Sequence, residues 1–161
     1  MSAKNSSTST LTMPSDREIV MTRVFDAPRE LVFKAYTDPI LIVQWWGLRS
    51  NTTRIDKMDV RPGGFWRFVQ HDTNGNEFGF KGEYREIVPP KRIVNTFEFE
   101  GMPGYIVIDT AILEELPNGK TKLTATSLFA TIGDRDGMLN SGMESGATES
   151  WDRLTELLAT G

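Results

Sequence analysis

The sequence predicts an α+β fold: an antiparallel meander of about seven strands, with one face left for a long C-terminal helix. Three observations carry this reading. From Gly137 to Ala159, Leu139, Met143, Ala147, Trp151, Leu154 and Leu158 recur at spacings of three and four, so they share one helical face. From Asn51 to Phe129 the pattern turns to strands and stays there, cut by turn signals at short intervals. Between a first strand and that run lie two proline-marked helix starts, which give two short helices in place of a long crossover.

The first strand runs from Asp16 to Asp26, alternating and rich in β-branched residues, with Ile19, Met21, Arg23 and Phe25 on one face. Ala27-Pro28 opens a helix, because the N–H that proline lacks has no partner in a first turn. Its buried stripe is Leu31, Val32, Ala35 and Tyr36. Asp38-Pro39 starts the second helix with Asp38 as N-cap; Ile42, Trp45 and Trp46 share its inner face, and Gly47 ends it. The strands that follow are Thr52–Val60, Phe65–Asp72, Phe78–Val88, Arg92–Glu100, Tyr105–Leu116 and Lys120–Phe129. Turns at Arg61–Gly64, Asn74–Asn76, Pro89-Pro90, Gly101–Gly104 and Pro117–Gly119 separate them. Ala130–Asp136 leads into the last helix.

That helix is uneven. Its C-terminal half carries Trp151, Leu154 and Leu158, while its N-terminal half has Gly142, Gly146 and Ala147 around a flexible Met143. The pattern reads as a helix packed tightly at one end and standing off a cavity at the other. The same glycines equally suit the close approach of a strand.

The chain has 161 residues, enough for one domain with a real core, and its 39% apolar and 25% charged residues are those of a soluble globular protein. A net charge of −4, with acids and bases interspersed, argues against nucleic acid as a main partner. The absence of cysteine excludes disulfides and thiolate chemistry, and fits a cytoplasmic location. A lone histidine cannot build a multi-histidine metal site, and no apolar run approaches a membrane span. Residues 1–14 are Ser/Thr-rich and are expected to be a disordered tail, with residues 15–161 the domain.

The phrases FDAPRELVFKAYTDP, QWWG, DVRPGGFWRFV and GEYREIVPPKRIV, followed by GKTKLTAT and GMESGATESWDRLTELL, occur in an order that resembles one known family. It is the family named after the activator of the 90-kDa heat-shock-protein ATPase, within the START-like (SRPBCC) superfamily. The resemblance covers residues 16–159. It implies a helix-grip fold: a curved antiparallel sheet wrapped around the C-terminal helix, with a cavity between them. Leu48 departs from the family pattern, where proline or a similar residue often follows the tryptophan–tryptophan–glycine motif. The eukaryotic co-chaperone carries a separate N-terminal domain for which this chain has no room, so co-chaperone activity does not carry over with the name.

Trp45 and Trp46 point about 100° apart on a helix, so one can be core while the other edges a cavity mouth. Trp66, Phe68, Phe80, Phe97, Phe99, Tyr105, Met143 and Trp151 serve equally as plain core or as the wall of one apolar pocket. Asp109 shares a strand face with Val107, Ala111 and Leu113, but the opposite face of Ile106, Ile108, Thr110 and Ile112 is just as apolar. Its direction stays open; pointing inward, it needs a partner or a raised pKa. His71 sits beside a hairpin tip, where side chains are solvated, and Arg67, Glu83 and Arg85 read as outer-face charges. Gly63-Gly64 lacks the following helix that a phosphate loop requires. No carboxylate pair, triad, cofactor motif or metal-ligand spacing stands out.

The expected function is therefore binding of a small hydrophobic or aromatic molecule between sheet and helix, with Thr131–Gly137 and Gly101–Gly104 as movable edges of the entrance. Two alternatives come from other classes. One is an enzyme of cyclase, dehydratase or hydrolase type working in the same cavity. The other is an interaction module for a chaperone, with a filled core and an exposed apolar patch. The sheet edges also offer a surface for a homodimer.

Overall fold

The computed structural model describes residues 9–160. Its strands are β1 (Thr10–Thr12), β2 (Glu18–Phe25), β3 (Thr52–Met58), β4 (Phe65–His71), β5 (Glu77–Val88), β6 (Arg92–Phe99), β7 (Val107–Leu116) and β8 (Lys120–Leu128). Its helices are α1 (Arg29–Thr37), α2 (Pro39–Ile42), α3 (Ile132–Asn140) and α4 (Met143–Thr160). The strands form one antiparallel sheet in the order β1-β2-β8-β7-β6-β5-β4-β3. β2 pairs with β8 over its whole length, from Glu18 opposite Leu128 to Phe25 opposite Thr121. The second and last strands thus lie side by side, and the inner faces of the central strands turn toward the helices.

Alternation sets those faces as the sequence predicts. Ile19, Met21 and Phe25 of β2 are buried, as are Leu113 of β7, Leu123 of β8 and Leu154 of α4. Arg23 lies on the same inner face and is 2% exposed. Helix α4 supplies what such a charge needs: Asp152 at 2.8 Å and the Thr155 hydroxyl at 3.0 Å.

Four expectations are corrected. Thr10–Thr12 of the Ser/Thr-rich segment form a strand against β2, with Leu11 opposite Met21, because a Thr-Leu-Thr alternation suits an edge strand; residues 1–8 of the expected tail lie outside the described residues. Leu31 is 39% exposed, so the buried stripe of α1 is Val32 and Ala35. The last helix is two helices. Gly142 takes φ +85°, a left-handed conformation open to glycine, and ends α3 before α4 begins. Residues 132–140, read partly as a lead-in loop, are helical because Thr131 caps them by accepting the Asp134 N–H at 3.0 Å. Among the described residues no helix is long and apolar enough to cross a membrane.

Candidate functional site

Between the sheet and α4 lies a cavity of about 280 Å³. It is hollow because small side chains meet there from elements far apart in the chain. Ala111 of β7 and Ala125 of β8 face Ala147 and Ser150 of α4, and none of them reaches across. The expected cause was different. Gly142 is exposed at the helix break, and Gly146 packs near Leu48 outside the lining, so neither glycine makes the space.

The walls are mainly aromatic. Tyr36 of α1 packs on Trp45, with ring centroids 4.7 Å apart, and Trp45 donates its indole N–H to the Ala35 carbonyl at 3.0 Å. Trp46 stands edge-on to Phe68, at 5.1 Å, and Trp66 tilts against Phe68 at 4.8 Å. Phe97 and Trp151 complete the ring of aromatic walls.

One wall is polar. Asn95, Asp109 and Ser127 lie side by side on β6, β7 and β8, with Asn95 opposite Asp109 and Asp109 opposite Ser127. The direction of Asp109, open in the sequence, is inward. Ser127 Oγ donates to Asp109 Oδ1 at 2.8 Å. Burial pushes the Asp109 carboxyl up to about 6, against the opposing pull of the Ser127 bond. Asp109 is half-buried and lines the cavity. Above it, Trp151 Nε1 donates to the Tyr36 hydroxyl at 3.1 Å. Burial raises the Tyr36 pKa far above the usual phenol range, the Trp151 bond lowers it in part, and the nearby Asp109 adds to the rise.

The loop carrying Trp46 is held on both sides. Gly47 has φ +99°, and a Cβ there would overlap the Gln70 amide, so glycine is required on two counts. Gln70 is buried and donates to the Trp46 carbonyl at 3.1 Å and to Thr53 Oγ1 at 2.9 Å. From the helix side, Arg153 donates to the carbonyls of Gly47 and Gln44, both at 2.9 Å. Arg49 and Glu156 form a two-bond pair at 2.8 and 2.7 Å that closes the outside of this junction.

The model of the family "Activator of Hsp90 ATPase homolog 1-like protein" matches residues 26–159. The chain belongs to this family. Solved structures similar to this family member come from several bacteria. A Rhodobacter sphaeroides protein is 24% identical, with a TM-score of 0.89 over 96% of this chain and 100% of that one. A Chromobacterium violaceum protein is 28% identical, with a TM-score of 0.79 over 91% and 98%. The AHSA1 protein from Silicibacter pomeroyi is 24% identical, with a TM-score of 0.73 over 89% and 98%. The architecture shared with them, a curved antiparallel sheet around a C-terminal helix, is the helix-grip fold of START-like proteins, here with eight strands. No curated protein matches the chain.

In this AHSA1-like chain the cavity brings together Trp45, Trp46, Trp66, Phe68, Phe97, Asp109, Met143 and Trp151. Phe80, Phe99 and Tyr105, expected in the same wall, are outside it. Phe80 and Phe99 stack on each other at 5.1 Å near the far ends of β5 and β6, with Phe80 buttressing Trp46 from behind at 5.3 Å. Tyr105 precedes β7 and is 53% exposed. Sequence reasoning did not single out Tyr36, Asn95, Ser127 or Ser150. Asn95 was legible as a polar residue alternating with Ile93 and Phe97, and Tyr36 as part of the buried stripe of the first helix; Ser127 and Ser150 carry no local signal. His71 pairs with Glu77 at 2.9 Å at the hairpin, away from the cavity. Arg67 makes a two-bond pair with Glu100, which holds the Glu100 carboxyl below its usual range. Among the described residues no three His, Asp or Glu side chains gather as metal ligands.

Proposed function

We propose that this protein binds a small, mostly apolar organic molecule in the cavity between sheet and α4, with one polar end of the molecule against Asn95, Asp109 and Ser127. The observation that carries the reading is a hollow with mainly aromatic walls and a polar row on β6, β7 and β8, the usual make-up of a small-molecule site. Eight residues of the wall, Trp45, Trp46, Trp66, Phe68, Phe97, Asp109, Met143 and Trp151, are the proposed ligand contacts. N-phenyl-1-naphthylamine, a neutral apolar dye, tests it. Its fluorescence is expected to rise on mixing with the protein, and Ala147→Trp or Ala125→Leu, which fill the hollow, are expected to abolish the rise. Equal dye binding by variants with unchanged circular dichroism would place the dye elsewhere and overturn the reading.

A second reading, a cyclase-, dehydratase- or hydrolase-type enzyme, is favoured by Asp109. A carboxyl held near 6 beside Ser127, Asn95 and the Tyr36 hydroxyl is suited to giving and taking a proton near neutral pH. A chaperone adaptor finds less support, since that reading calls for a filled core.

A further inference from the structure

We infer that the molecule held in this cavity carries a protonated amine, which pairs with Asp109 while its apolar body lies among the aromatic rings. The inference rests on the binding reading above and narrows its ligand class.

The first argument is charge. Asp109 lines the cavity, and among the described residues no Arg, Lys or His side chain lines it with it. The buried cation on the same inner face, Arg23, is already committed to Asp152 and Thr155. A buried carboxylate with a serine hydroxyl beside it but no basic partner is left for the ligand to neutralise.

The second argument is hydrogen-bond inventory. Ser127 Oγ spends its one proton on Asp109 Oδ1, and among the described residues this is the only side-chain bond the carboxylate accepts. The Asn95 amide spends a donor on the Thr96 carbonyl at 3.0 Å, and no donor among the described residues reaches its oxygen. The row is left with three free acceptors, Asn95 Oδ1, Asp109 Oδ2 and Ser127 Oγ, against one free donor, the second Asn95 N–H, on three adjacent strands about 4.8 Å apart. A primary ammonium has three donors and no acceptor, and suits such a row. A carboxylate, phosphate or sulfonate would find donors in the second Asn95 N–H, the Tyr36 O–H and the unpartnered Trp66 Nε1–H, but would bring a negative charge to Asp109.

The third argument is the wall. Trp46, Trp66, Phe68 and Phe97 present rings around the same space, and the negative faces of aromatic rings attract a cation and repel an anion. Charge and ring electrostatics select the same head group, and the acceptor-rich row suits it.

The pH dependence follows. The other titratable groups lining the cavity are Tyr36 from α1 and Tyr84 from β5, both held far above neutral by burial; β2, β6, β8, α4 and the α2 turn present none. Amine binding should weaken as pH falls through about 6, where Asp109 takes up a proton.

The test compares 2-(1-naphthyl)ethylamine with its neutral counterpart 2-(1-naphthyl)ethanol. Both are titrated into nitrogen-15-labelled protein, reading the indole N–H signals. All four tryptophans of the chain line the cavity, so each signal reports on it. At pH 7.5 the amine is expected to bind about tenfold more tightly than the alcohol, the order expected of a desolvated ion pair with cation–π support. Asp109→Asn is expected to erase the preference, and in the unmodified protein lowering the pH to 5 is expected to do the same without any substitution. Equal affinity for amine and alcohol, or a preference that survives both changes, would overturn the amine inference while the cavity reading stands. If neither compound nor the neutral dye moves an indole signal, the cavity reading falls, and the inference with it.

Discussion

Ser150 and Gly47 bond each other twice: the Gly47 N–H donates to Ser150 Oγ at 3.0 Å, and the Ser150 hydroxyl donates back to the Gly47 carbonyl at 3.1 Å. Helix α4 thereby grips the loop that places Trp46 over the cavity, from a position next to Trp151. The cavity is closed by an element that is covalently remote, and one serine joins the two.

Ser150→Ala removes both bonds and leaves a partly buried Gly47 N–H without its partner. The expected cost is about 1–2 kcal/mol in urea unfolding, the penalty for an orphaned backbone donor. Hydrogen exchange at Gly47 is expected to quicken more than at Leu123 in the sheet centre. A variant as stable as the parent, with Gly47 exchange unchanged, would show that Arg153 and Gln70 hold the loop without Ser150.

Asp109 sets a pH dependence of stability. Its carboxyl sits at about 6 in the folded chain, above the roughly 3.9 of an unfolded aspartate. Between those values the folded state binds the proton more tightly, so stability falls as pH rises through the window, and the full cost is present above it. That cost is at most about 3 kcal/mol, at 1.36 kcal/mol per unit. Asp109→Asn should therefore stabilise the protein at pH 7.5 and change little at pH 4, read from urea midpoints at the two pH values. A gain that is the same at both would assign the effect to packing instead of charge.

The buried Arg23 is expected to respond asymmetrically. Asp152→Ala leaves a guanidinium that is fully enclosed without its counter-charge, and about 3 kcal/mol should be lost. Arg23→Met removes the charge and keeps most of the volume, and should cost markedly less. Thermal unfolding of the two variants checks the order; equal losses would mean that packing around the Arg23 stem dominates.

Much of this molecule is local and was therefore legible. Ile19, Met21 and Phe25, or Ile93, Asn95 and Phe97, face one way because strand side chains alternate, whatever the strand pairs with. Turns at Asn118 and Gly119, which take φ of 67° and 73°, are written in residue types that tolerate such angles. The tryptophan pair also behaved locally: Trp45 is 2% exposed, while Trp46 is half-buried.

Other features were not local. Helical spacing runs straight through Ser141-Gly142, and only the packing of α3 and α4 shows that the chain breaks there. Phe80 and Phe99 have the right alternation for the cavity wall, but they pair with each other near the start of β5 and the end of β6, where Phe80 packs against Trp46 instead of the hollow.

From the residues alone came the seven strands β2 to β8, their order, their inner faces and the family, because periodicity and motifs are properties of neighbouring positions. The tertiary structure decided three things. It turned Asp109 inward, since β7 is apolar on both faces and only its register between Asn95 and Ser127 distinguishes them. It set Arg23 against Asp152, more than a hundred residues away. It left a hollow where Ala111, Ala125 and Ala147 converge, because empty space belongs to no residue and exists only where several short side chains from distant elements face one another.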